Sequence, residues 1–280
     1  MNQYDAIVIG AGHNGLTNGA YLAKAGLRVA VLERNPYIGG ATVSRELHKG
    51  WYYSNCSYVS SLLRPEITRD LELPRHGLQV VPFGGGATFM RNGDHFGTYA
   101  DHDRHYREIA RHSKRDANAY DRYAADTSLQ TKLIRPYLMR MPPDPTSLKP
   151  RDLRDLMEFA QSFMSLGEEK LLDTIKFWTA SVGDYLNEYF ETDVIKAHMA
   201  GSGIIGTALG VYSPGTAYVL LHHYMGDVDG NVGAWGFARG GMGAIASALS
   251  KAFQSFGGDI ICDANVDEII VRRGRAAGVA

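Results

Sequence analysis

Gly10-Ala11-Gly12-His13-Asn14-Gly15 is the run in this chain whose residue types and spacing most plainly suit a chemical task. A G-x-G-x-x-G sequence between a strand and a helix is suited to holding the pyrophosphate of a dinucleotide. The first glycine permits a tight turn, the second lets phosphate approach the backbone, and the third lets helix and strand pack closely. Free N–H groups and the dipole at the helix N-terminus favour an anion there. Glu33 ends the next apolar strand, where a carboxylate can accept hydrogen bonds from both ribose hydroxyls of an adenosine. Its charge would repel a 2′-phosphate, which disfavours NADP. A glycine-rich turn without a ligand is the alternative reading.

The elements around this run fit the task. Ala6-Ile7-Val8-Ile9 reads as a strand of the kind buried in a parallel sheet. Leu16, Ala20 and Ala23 share a helical face that Gly26 closes. Residues 27–32 form a second strand, so 4–34 is a βαβ unit with parallel strands. After Glu33 the usual continuation is missing, and residues 34–60 read as loop. Asn92-Gly93 signals a hairpin between 87–90 and 96–99. Residues 101–200 read as mostly helical, broken at Met141-Pro142-Pro143-Asp144-Pro145. Ser213-Pro214 reads as an N-cap and first helical residue. Gly240-Gly241 opens a helix with Met242, Ile245, Leu249 and Phe253 on one face. Gly257-Gly258 ends that helix, and strands are expected at 260–261, 266–271 and 276–279.

Composition removes several functions. A net charge of -1 over 280 residues gives no global field for nucleic acid. Cys56 and Cys262 are the only cysteines, too few for a disulfide framework or a cysteine zinc site, and no CxxC pair exists for dithiol redox chemistry. Asp101, His102, Asp103 and His105 read as a helix start rather than a metal site, and no metal is expected. His222 and His223 suit either proton transfer or a bonded core position, and Trp235 and Phe237 either a flat ligand or the core. No triad or paired-carboxylate pattern is present, so no catalytic residue is assigned. Residues 197–226 lack Asp, Glu, Lys and Arg, but Pro214 and the glycines favour an internal wall over a membrane span. With a strand expected at Tyr4–Ile9, no secretory signal is expected before it.

The run Arg34-Asn35-Pro36-Tyr37-Ile38-Gly39-Gly40-Ala41-Thr42 resembles the second FAD motif of the glutathione-reductase-fold flavoproteins. Trp235-Gly236-Phe237-Ala238-Arg239-Gly240-Gly241-Met242-Gly243-Ala244 resembles their phytoene desaturase branch, as does Ser213-Pro214-Gly215-Thr216-Ala217-Tyr218-Val219-Leu220-Leu221-His222-His223. The resemblance implies an α/β fold: a Rossmann-type FAD-binding domain from residues 1–60 and 231–280, with a largely helical substrate-side domain inserted at 61–230. It implies FAD as cofactor, held by Gly10, Gly12, Glu33 and Gly40, with the Val266 backbone at the adenine. Ala11, His13, Asn14, Gly15, Arg34 and Gly39 complete the candidate set. Ala41 stands where many such proteins have an arginine, so Arg34 or backbone amides must meet the pyrophosphate.

The activity implied is hydride transfer from a substrate C–H bond to the flavin. The uncharged wall suggests an apolar substrate, which allows peripheral membrane contact. The electron acceptor and oligomeric state are not indicated, and no nucleic-acid partner is expected. A cytoplasmic location is expected if the chain is bacterial, and for a eukaryotic chain the resemblance admits the mitochondrial matrix. Relatives are expected to be longer, with a C-terminal stretch that contacts the flavin ring, so the isolated 280 residues are expected to be an N-terminal portion without turnover. Two other readings stay open: an NAD-dependent dehydrogenase and a non-catalytic nucleotide-binding or interaction module.

Overall fold

The βαβ unit forms where the apolar spacing places it. A computed structural model describes residues 3–280. Strand β1 (Ala6–Ile9) lies parallel to β2 (Val29–Leu32), with Ala6 opposite Val29 and Ile9 opposite Leu32. Helix α1 (His13–Lys24) joins them. The strand Asp259–Ile261 pairs parallel on the other side of β2, so β2 is central. Val29, Ala30 and Val31 are accordingly buried.

The chain divides into two compact units. One runs to Phe83 and resumes at Gly226–Ala280; the other is Gly84–Met225. The inserted unit thus begins at Gly84 rather than at 61. Residues 61–83 stay with the sheet unit for a physical reason: Leu71, Leu73 and Leu78 are buried in its core, and Val80–Pro82 pairs antiparallel with Gly236–Ala238.

The sheet unit packs α1 and the helix Gly243–Ser255 in one core containing Leu16, Ala20, Ile245, Leu249 and Phe253. Phe253 is fully buried. A Cβ on Gly258 would stand 1.9 Å from its ring, and one on Gly19 would stand 3.4 Å from it. The ring therefore fills a space that two glycines leave open. Phe253→Ala should empty that space and destabilise this unit by about 3–5 kcal/mol. Chemical denaturation checks it, and a loss below about 1 kcal/mol would show that the site collapses around the deletion.

Gly15 is required for packing. A Cβ there would stand 2.0 Å from the Gly10 carbonyl oxygen. Gly15→Ala should therefore lower the melting temperature and reduce soluble yield with or without nucleotide. A wild-type melting curve would refute this steric reading.

The middle unit is mainly helical, with helices His102–His112, Lys114–Ile134, Pro150–Met164, Glu168–Thr179, Val182–Asn187, Asp193–Ala200 and Thr216–Tyr224. The expected hairpin forms from Ala87–Phe89 and His95–Gly97. Asp101 caps the first helix by accepting the Arg104 N–H at 2.7 Å, which is the expected helix start. Buried Asp116 accepts the N–H groups of Glu191 and Thr192 at 2.8 and 3.0 Å, tying the long helix to the segment before Asp193–Ala200. Among the described residues, no helix is long and apolar enough to cross a membrane.

Phe96 is fully buried among the rings of His105, His112 and His198, at 6.2, 5.6 and 5.1 Å. Burial lowers His105 and His198 below the ordinary histidine value. Their unfolded forms therefore take up protons at a pH where the folded forms do not. The stability these two histidines contribute is complete above about pH 6.5 and is lost as the pH drops below it. His102, raised by its bonds to Asp121 and Asp103, contributes in the opposite sense, from a solvent-exposed position where the effect is screened. Melting of the middle unit between pH 7 and 5 should show this trend, and replacing His198 with Gln should flatten it. A pH-independent melt would contradict the burial argument.

Local structure departs from expectation at four places. Residues 44–54 are a hairpin, Ser44–His48 against Trp51–Ser54, rather than loop; Lys49-Gly50 makes the turn, with Gly50 at φ +82°. The helix expected to begin at Pro214 starts at Thr216, because Gly215 adopts a left-handed conformation. The strand expected from 266 starts at Ile269 and pairs with Arg275–Val279. His222 is exposed rather than a core histidine, because it lies on the open side of its helix.

Candidate functional site

The glycine loop joins β1 to α1. Gly10 has φ +96°, a left-handed conformation that only glycine adopts freely. Gly12 differs from both neighbouring motif glycines. Its φ is -71° and its ψ is 169°, angles open to any residue. A Cβ on it would meet nothing closer than Gly40 Cα at 3.8 Å. Neither conformation nor protein packing requires glycine at 12, so the space in front of it is available to a ligand.

The helix behind Gly12 offers an anion site. No side chain caps α1, and its first turn holds no acidic residue. Its unbonded N–H groups and dipole therefore meet no acidic side chain from within the helix itself. His13 Nδ1 is buried at this terminus without a hydrogen-bond partner. A buried polar atom left unbonded is costly, and an oxyanion at the helix start would relieve it.

The second glycine turn lies against the first. Gly39 N–H donates to the Ala11 carbonyl at 2.9 Å, and Gly12 and Gly39 form a parallel bridge. Gly39 has φ +122°, and buried Thr42 holds the turn by donating to the Gly39 carbonyl at 2.8 Å. Two motifs separated in sequence thus form one backbone surface.

Glu33 closes the site from the β2 side. Its Oε2 accepts the Ala11 N–H at 2.9 Å. Its Oε1 accepts the Asn35 N–H at 3.0 Å and Nδ2 at 2.7 Å. Burial pushes this carboxyl up, but the Asn35 and Ala11 donors and the Arg34 charge outweigh burial and leave it below its usual value. The carboxylate is ionised at neutral pH. Beyond Glu33, Ala264 N–H donates to its carbonyl at 2.9 Å, bringing the segment after Asp259–Ile261 to the site.

Gly10, Ala11, Gly12, His13, Gly15, Glu33, Gly39 and Gly40 thus lie together. Asn14 is exposed in the first turn of α1. Arg34 is exposed and has no hydrogen-bond or ion-pair partner among the described residues. Val266 is half-buried in the loop that passes Glu33, two residues beyond Ala264. Sequence reasoning missed Asn35 and Thr42, whose roles depend on where the turns bring their side chains. A cleft of about 490 Å³ adjoins the second turn, lined by Tyr37, Ile38, Val43, Arg45 and Cys262 among others. The Cys262 thiol is pushed up by burial and by the nearby carboxylates of Glu33 and Asp263. Phe237 is 52% exposed and stacks on Phe83 at 4.9 Å, so it lies at a surface rather than in the core. Among the described residues no cluster of His, Cys, Asp or Glu could hold a metal ion.

This arrangement defines a Rossmann-type dinucleotide-binding fold, and the family model for the NAD(P)-binding Rossmann-like domain matches residues 8–70. Curated proteins are similar to this chain along nearly its whole length. Pyridine nucleotide-disulfide oxidoreductase domain-containing protein 2 of Mus musculus is 36% identical, over 99% of this chain and 50% of that protein. The 4,4'-diapophytoene desaturase (4,4'-diapolycopene-forming) of Methylomonas sp is 22% identical, over 99% of this chain and 50% of that protein. The chain spans about half the length of these curated relatives. An oxidoreductase of Methanosarcina mazei shares the fold, with a TM-score of 0.53 at 17% identity over 98% of this chain and 55% of that one.

Proposed function

We propose that this chain carries the adenosine- and pyrophosphate-holding part of an FAD-dependent oxidoreductase that oxidises an apolar substrate. The observation that carries the reading is Gly12, a glycine that neither backbone angle nor packing demands, set at an uncapped helix start beside an ionised Glu33. The residues fit the group. The N–H groups at the start of α1 and the backbone of Gly12 and Gly40 would hold the pyrophosphate. His13 Nδ1 would gain a partner there. Glu33 would accept the ribose hydroxyls, and the chain near Val266 would border the adenine. Bound FAD supplies a hydride acceptor for a substrate C–H bond.

The second glycine turn, docked on the first, lies in the run 34–42 that resembles the second FAD motif of the glutathione-reductase-fold flavoproteins, and this supports FAD over NAD. The middle unit is assigned the substrate side. Its uncharged segment contributes Ile205, Tyr218, Val219 and His222 to a cleft of about 310 Å³. Although His222 is largely open to solvent, partial desolvation in this cleft lowers it, with further lowering from His223, so its imidazole is neutral at pH 7. A cleft without charge suits a neutral apolar compound.

The test is equilibrium dialysis of the purified chain with FAD and, separately, with NADH. FAD retention that adenosine diphosphate displaces supports the reading. Retention of NADH without FAD would favour a nicotinamide dehydrogenase, and retention of neither would favour a non-catalytic module.

A further inference from the structure

Glu33 is held before any ligand arrives, and one neighbour supplies most of the hold. Asn35 gives two of the three N–H donors to this carboxylate, and its Nδ2 bond of 2.7 Å is the shortest of them. The backbone that carries Asn35 is itself fixed. Its carbonyl accepts the Asp263 N–H at 3.2 Å, while the Glu33 carbonyl accepts the Ala264 N–H. Asn35 therefore sits on a braced segment between the ends of β2 and the strand Asp259–Ile261. The remaining carboxylate oxygen is left to face the Ala11 N–H of the glycine loop. Without the Asn35 amide, a residue only 7% exposed would keep the full cost of burying a charge with fewer donors to offset it.

We propose that Asn35 is a positioning residue for nucleotide binding: its side-chain amide fixes the Glu33 carboxylate against the glycine loop, ready for the ribose hydroxyls. This rests on the adenosine-binding role given to Glu33 above. Asn35 touches no ligand in this account and acts only through Glu33. A like-shaped side chain that cannot donate should then be worse than a truncated one. Asparagine and aspartate have nearly the same shape, but aspartate at 35 would set a second negative charge against Glu33.

The experiment compares Asn35→Ala and Asn35→Asp with wild type, using adenosine 5′-diphosphate as the probe. Calorimetric affinity is measured across pH 5 to 8, and the Glu33 carboxyl titration is followed by carbon NMR in the ligand-free protein. Asn35→Ala should weaken binding roughly tenfold. It should also move the Glu33 titration, and the acid limb of the binding profile, to higher pH. Asn35→Asp should weaken binding further despite its shape. Circular dichroism melts check that all three proteins fold. An unmoved Glu33 titration in Asn35→Ala, or wild-type binding by Asn35→Asp, would overturn the proposal. If wild type fails to bind the diphosphate, the adenosine-binding role falls, and the ligand-free titration still decides whether Asn35 controls the carboxylate.

Discussion

Gly12→Val should abolish nucleotide binding and leave the protein folded. The backbone at 12 is in an extended region open to β-branched residues, and the nearest atom to an added Cβ is Gly40 Cα at 3.8 Å. The valine side chain would instead occupy the space through which the pyrophosphate approaches the start of α1. Affinity for FAD or adenosine diphosphate should fall by roughly a hundredfold or more, equivalent to about 2.8 kcal/mol. Gly12→Ala should give a smaller loss in the same direction. Set beside Gly15→Ala, the pair separates two uses of glycine within one motif: position 12 answers to the ligand and position 15 to the Gly10 carbonyl. A Gly12→Val protein that binds normally would remove the phosphate role from this loop.

Glu33→Arg should change which nucleotide the site prefers. The substitution removes the ribose acceptor and also releases the Ala11 and Asn35 donors that the carboxylate now engages. Hydrogen bonds to a charged group contribute about 1.5–3 kcal/mol, so the affinity for adenosine 5′-diphosphate should fall by roughly 10- to 150-fold. A 2′-phosphate would meet a guanidinium instead of a carboxylate, and its exclusion should be relieved. Competition between adenosine 5′-diphosphate and its 2′-phosphorylated analogue measures both effects. Unchanged selectivity would show that Glu33 does not face the ribose.

The site was largely legible because its parts are local in sequence. A strand, three spaced glycines, a helix and an acid at the end of the next strand fix one another through short-range geometry, and the structure builds them as spaced. The helix Gly243–Ser255 was legible from the periodicity of Met242, Ile245, Leu249 and Phe253, since one apolar face must meet a core. Asn35 and Thr42 were not legible. Their bonds to Glu33 and Gly39 depend on a turn whose path no periodicity reports. The Ser44–Ser54 hairpin was missed because its exposed residues, such as Trp51, Tyr52 and Tyr53, do not alternate apolar with polar. The unit boundary at Gly84 was missed because strand Val80–Pro82 finds its partner at Gly236–Ala238, far along the chain.

The central claim is that the glycine loop and Glu33 hold an adenosine pyrophosphate whose ribose carries a free 2′-hydroxyl. Isothermal titration of the wild-type protein with adenosine 5′-diphosphate, and then with adenosine 2′,5′-diphosphate, tests it most directly. The account predicts one site per chain for the first and at least tenfold weaker binding of the second. No heat of binding for the first, or a preference for the second, would contradict it.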